Sequence, residues 1–275
     1  MMRPMPALIA VLAAAVSVSA AAREPTAPHT PTDDSATLVR AIAGGPDARR
    51  PLARLRNPLC LMVAAPDEAF GRIVAERITV NAKAAGVPLR RAGCTPNALV
   101  TFSQNAAEQI ALRREEGHRF FRGMSEKEID AELSGRDPAY VFQAVEATPR
   151  WGEGDAVLND GPMVYWTKER SYLRTPQDLV TTLVVIDNGA TGDATPTQLA
   201  DYATLRLLAQ TGEIAADGPQ ASGTILSLFA VPAAAPAQMT RADQAYLRSL
   251  YTLPRTAFAE EVLAAAEADA SRGGG

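Results

Sequence analysis

The chain has 275 residues, 47% of them hydrophobic and 21% charged, which are ordinary proportions for a globular protein. A formal net charge of −4 gives no basic footprint, so no nucleic-acid partner is expected. The length allows one large domain or two small ones.

Residues 1–22 read as a secretory signal peptide. Arg3 supplies a positive start, and Ala7 to Ser19 is an uncharged run of apolar and small residues. That run is shorter than the roughly 20 residues a membrane-spanning helix needs. Val18-Ser19-Ala20 and Ala20-Ala21-Ala22 both present small residues for cleavage, after Ala20 or after Ala22. No cysteine near the cleavage region would accept lipid, so a lipoprotein is not expected. A periplasmic or secreted destination follows, with no stable membrane insertion after cleavage. Residues 23–56, rich in Pro, Ala, Arg and Thr, read as a flexible lead-in. Within it Arg49, Arg50, Arg54 and Arg56, beside Pro46, Pro51 and Pro58, read as a solvated basic run.

Residues 57–255 are expected to form a single α/β (α+β) domain, a mixed twisted sheet flanked by helices. Leu59 to Ala64 suits a buried strand. Pro66-Asp67-Glu68 opens a helix in which Phe70, Ile73, Val74, Ile78 and Ala82 recur at helical spacing, and Gly86 ends it. Ala98 to Phe102 reads as the next strand, completing a βαβ unit. Cys60 and Cys94, the two cysteines of the chain, are expected to pair in an oxidising compartment.

Residues 104–135 read as a polar helical insertion, in which Ser125 and Glu128 form a capping box. Tyr140 to Val145 and Met163 to Trp166 look like strands, separated by a Gly- and acid-rich loop from Trp151 to Gly161. Leu179 to Ile186 is the most β-like stretch and ends at Asp187. Thr195-Pro196 caps a helix carrying Leu199, Tyr202, Ala203, Leu205, Arg206, Leu208 and Ala209. Thr224 to Phe229 is a short apolar turn or helix. Thr240 and Asp243 cap another helix with Ala245, Leu247, Leu250 and Tyr251 on its apolar face. Residues 256–275 finish as an Ala- and Glu-rich helix and a Gly tail.

Chemistry is constrained by what the motifs lack. The histidines are His29 and His118, neither in an H-E-x-x-H pattern, which a zinc peptidase needs to place two imidazoles on one helix face. No G-x-S-x-G, Walker loop or dinucleotide fingerprint occurs, and no cofactor is expected. Asp187 lies at a strand end, Asp193 in the following loop and Asp201 on the next helix; acids at strand ends serve active sites in α/β folds, and acids there also cap helices and solvate turns. Trp151, Tyr165, Trp166 and Tyr172 either line a groove or belong to the core.

The segment from Leu179 to Tyr251 resembles the second half of metzincin-like zinc peptidases. More closely, it is similar to a family of exported bacterial proteins of uncharacterised activity, related to that scaffold. The matching features are a strand (LVTTLVVID), a helix (QLADYATLRLLAQ), an apolar turn (TILSLF) and a T-x-x-D helix ending in LY. The resemblance implies a zincin-like scaffold. It places Tyr202 and Arg206 where family members with intact sites have their two histidines, and Ala203 where they have the general-base glutamate. No metal is then expected, because Arg206 would repel a cation and Ala203 cannot act as a base. The leading expectation is a non-catalytic periplasmic binding protein that takes a peptide by strand addition. One alternative is a hydrolase with a carboxylate-based or metal-assisted site near Asp187, Asp193 and Asp201. Another is an envelope protein that contacts a second protein through its C-terminal helix. The oligomeric state stays open.

Overall fold

The computed structural model describes residues 31–117, 119–121, 123–135, 138–147, 175–216, 218, 220 and 222–272. Residues 1–22, both histidines, the strand expected over Met163 to Trp166, and Trp151, Tyr165, Trp166 and Tyr172 lie outside them. In chain order the helices are α1 (Pro31–Ile42), α2 (Glu68–Ala84), α3 (Ala106–Glu115), α4 (Glu126–Leu133), α5 (Pro196–Leu208), α6 (Arg241–Thr252) and α7 (Ala259–Ser271). The strands are β1 (Arg54–Leu55), β2 (Leu61–Ala64), β3 (Ala98–Ser103), β4 (Ala139–Ala147) and β5 (Gln177–Asp187).

The β-branched run ending at Asp187 forms the spine of a five-stranded sheet, β5. Its parallel neighbours follow the order β1-β5-β3-β2. β4 runs antiparallel against the same β5 residues that β3 engages, so it must occupy the opposite side of β5. A bulge interrupts that pairing between Ala144 and Val145. Successive strand residues point to opposite faces. Val184 and Ile186 enter the larger core, whereas Leu183 and Val185 enter the smaller one. The protein is therefore mixed α/β, with a largely parallel sheet between two layers of helix.

Local sequence sets the element ends as expected. Asp67 caps α2 by accepting from the Phe70 N–H at 2.6 Å, and Gly86 turns the chain with φ of 85°. Ser125 and Glu128 form their capping box, as do Thr240 and Asp243. Thr195 pairs with Gln198 ahead of Pro196 at the start of α5. Cys60 and Cys94 are bonded, with Cα atoms 6.1 Å apart, which ties the start of β2 to the loop before β3. The Asn97 side chain accepts from the Cys60 N–H at 2.7 Å, fastening the same junction.

Two expectations are corrected. Residues 31–56 are no flexible lead-in: Val39, Ile42, Ala53 and Leu55 are buried in the larger core, and α1 packs on α6 and α7. Backbone bonds run from Ala259 N–H to Arg50 O (2.8 Å) and from Glu260 N–H to Ala48 O (3.1 Å). Arg54 is likewise not a solvated charge. Its Nη1 donates to Leu250 O and Leu253 O, where a cation neutralises the carbonyls that end α6. Burial lowers the pKa of this guanidinium from its usual value.

The insertion over 104–135 is helical as read, but it is not merely polar. Ile110, Phe120, Phe121 and Ile129 bury themselves on Leu99, Phe142, Leu183 and Val185, closing the second face of the sheet. Phe121 meets Phe142 edge to face with ring centres 5.0 Å apart. Among the described residues no helix is long and apolar enough to cross a membrane.

Candidate functional site: a cleft between β4 and the end of α5

Helix α5 is buried from Leu199 through Leu208, as expected of a helix enclosed on all sides. It lies against the sheet, α2, α6 and the turn Ile225–Leu228. Residues four apart share a helix face, so Tyr202 and Arg206 are neighbours. Arg206 Nε donates to the Tyr202 hydroxyl at 3.1 Å, and its guanidinium lies 5.2 Å from the centre of the Tyr202 ring. Arg206 Nη1 donates to Thr211 Oγ1 at 3.0 Å. The Tyr202 ring in turn packs edge-on against Phe229.

The loop after α5 is held from three sides. Tyr251 donates to Leu208 O at 2.7 Å and Tyr246 to Gln210 O at 2.8 Å, and burial pushes both phenols up from their usual pKa. From β4, Gln143 Nε2 donates to Arg206 O and Ala209 O at 2.7 and 2.9 Å, answering carbonyls at the helix end. From the N-terminal side, Gly212 N–H donates to Ile42 O at 2.9 Å. Behind these, Asp243 accepts from Thr224 Oγ1 (2.5 Å), Ile225 N–H (2.9 Å) and Thr240 N–H (2.8 Å). Burial pushes the Asp243 carboxyl up to about 6, against the opposing pull of those hydrogen bonds.

This bracing leaves a cleft of about 480 Å³ between β4 and the end of α5. Val141, Gln143 and Val145 of β4 form one wall; Arg206 and Thr211 form another, and Glu128, Ala131 and Glu132 of α4 line it as well. Of the three positions singled out by the resemblance, Arg206 lines the cleft. Tyr202 and Ala203 are fully buried and do not.

The three candidate acids have separate roles. Asp187 accepts from Gly189 N–H at 2.8 Å and starts the turn Asn188–Ala190. Asp193 is exposed in the following loop. Asp201 is fully buried and accepts a bidentate pair from Arg77 (2.7 and 2.8 Å), the Asn81 amide (2.7 Å) and Met239 N–H (2.7 Å). None of the three lines the cleft. Reasoning from sequence missed Gln143, Glu132 and Thr211. A single amide inside the apolar run from Val141 to Val145 was the one available signal for Gln143.

The residues at the α5 positions do not fit a metal. A guanidinium, a buried phenol bonded to it and an alanine supply neither a ligand set nor a base. Among the described residues no group of three or more His, Cys, Asp or Glu is placed to hold one. The C-terminal helix keeps its apolar side within the chain, where Val262, Leu263 and Ala266 are buried in the larger core. No protein family, curated protein or solved structure matches the chain.

Proposed function

We propose that the chain is an exported, non-catalytic protein that binds an extended peptide in the cleft between β4 and α5. We place it on a scaffold related to zinc peptidases, with the metal site replaced. The observation that carries the reading is Arg206 on the buried helix, facing β4, the antiparallel strand at the edge of the sheet among the described residues, across an open cleft. The order of elements from β2 to α6 is compatible with such a scaffold, and the Tyr202–Arg206 pair fills the positions where two metal ligands would stand. A fixed positive charge there disfavours a divalent cation by direct repulsion. The Cys60–Cys94 bond supports an oxidising compartment, because paired structural cysteines persist where thiols are not kept reduced.

A peptide added to an edge strand gains main-chain hydrogen bonds, and pockets beside alternate residues give selectivity. Here Val141 and Val145 would meet apolar side chains, and Arg206 and Gln143 polar ones. The test is selection from a displayed library of extended peptides, followed by calorimetry with wild type and R206A. Micromolar binding that R206A weakens about tenfold or more is the expected result. Stoichiometric zinc in purified protein, lost in R206A and Y202F, would overturn the reading.

A further inference from the structure

The outer edge of β4 already carries an occupant from within the chain. In an antiparallel pair alternate residues turn their backbone groups toward the partner strand. Asp187 N–H donates to Pro138 O, and the register sets Tyr140 against Val185 and Phe142 against Leu183. Ala139, Val141 and Gln143 therefore direct their backbone groups outward. Val141 N–H is met there by the Glu132 carboxylate at 2.5 Å. Glu132 reaches it from α4, which is fixed by the Ser125–Glu128 capping box and by Ile129, buried to 2% exposure in the smaller core. The carboxylate oxygen occupies the position a neighbouring strand's carbonyl would take, in the stronger, charge-assisted form of that bond.

We propose that Glu132 is a gate on the docking edge: an extended peptide pairs with β4 by displacing this carboxylate and placing its own carbonyl on Val141 N–H. The proposal rests on the peptide-docking reading above and adds the register of docking and the residue that opposes it. Exposed strand edges invite unwanted pairing, and a charged group set across the edge blocks it. A ligand must therefore outcompete Glu132, so weakly pairing strands are refused.

The test uses the full chain with E132Q and E132A, the probe acetyl-Val-Thr-Val-Thr-Val-amide, and the peptides selected above. Amide exchange at Val141 should rise along the series wild type, E132Q, E132A, reaching about tenfold or more in E132A. Affinity for the probe should rise in the same order by a similar factor. Unchanged Val141 exchange in E132A, with peptide binding intact, overturns the gate alone. Faster exchange without tighter probe binding also overturns it. If no variant takes any peptide, gate and docking reading fall together. Should E132A lose its fold, E132Q decides: several-fold faster exchange and tighter probe binding support the gate, and no change in either overturns it.

Discussion

Replacing Asp201 by alanine removes a carboxylate that is fully buried and joins three parts of the fold. Its partners are Arg77 and Asn81 on α2 and the Met239 amide ahead of α6. The donors left behind differ in what they can do. Arg77, with 31% of its side chain exposed, turns to water and loses little beyond its charge-assisted bonds. Asn81 keeps Thr204 Oγ1 at 3.1 Å. The Met239 N–H has no such recourse at 4% exposure, and an orphaned buried donor costs about 1–3 kcal/mol. Together with the charge-assisted bonds lost to Arg77, about 1.5–3 kcal/mol, the expected loss is about 3–5 kcal/mol. At a urea slope of about 3 kcal/mol/M, a 4 kcal/mol loss lowers the unfolding midpoint by roughly 1.3 M. A cycle with R77A should give a coupling of about 1.5–3 kcal/mol, as for hydrogen bonds to charged groups. A D201A loss below about 1 kcal/mol, or additive single losses, would refute the assignment of Asp201 as a structural anchor.

Reducing the Cys60–Cys94 bond opens a loop spanning 34 residues and should cost about 4 kcal/mol on the chain-entropy model, read as a lower urea midpoint in dithiothreitol or in C60S/C94S. Asp243 predicts a pH dependence of definite sign. Its folded pKa of about 6 lies above its ordinary value of 3.8, so the folded state holds the proton more tightly. Its favourable contribution is present below pH 3.8 and is lost as the pH rises through about 6, a fall of about 3 kcal/mol that D243N should remove from the stability profile. A Cβ at Gly212 would stand 2.5 Å from Gly44 Cα and 2.8 Å from Ala41 O, backbone atoms that no rotamer change can clear. G212A should therefore cost about 1–3 kcal/mol in thermal or urea unfolding, whereas G45A, with nothing within 4 Å, bears chiefly the strain of φ +62°.

What the sequence discloses depends on how far away each residue's partner lies. The caps at Asp67, Ser125, Thr195 and Thr240 were legible because each partner sits three residues on. The strands at 98–103 and 177–187 were legible because buried strands read as apolar runs. α1 was not, because its apolar residues gather at its C-terminal end and its cover comes from α6 and α7 at the far end of the chain. Arg54 looked solvated in its basic run, yet the carbonyls it serves lie 196 and 199 residues away. Asp201 passed for a candidate catalytic acid because Arg77, 124 residues earlier, is invisible to local pattern. At the cleft, Arg206 was found through the resemblance. Glu132 was not, since nothing in a helix sequence announces that one of its acids bonds a strand edge.

The bonds from Arg50 and Ala48 to the start of α7 set a schedule for folding. α1 emerges from synthesis long before α7, the helix that completes its cover. Until α7 arrives, Val39 and Ile42 have no finished core to enter, and the stretch carrying Arg50 lacks the partner that pins it. Contacts of such sequence separation form late, because the intervening chain must be ordered first. The arrival of α7 then acts as a latch, closing over α1 and the stretch from Ala48 to Arg50.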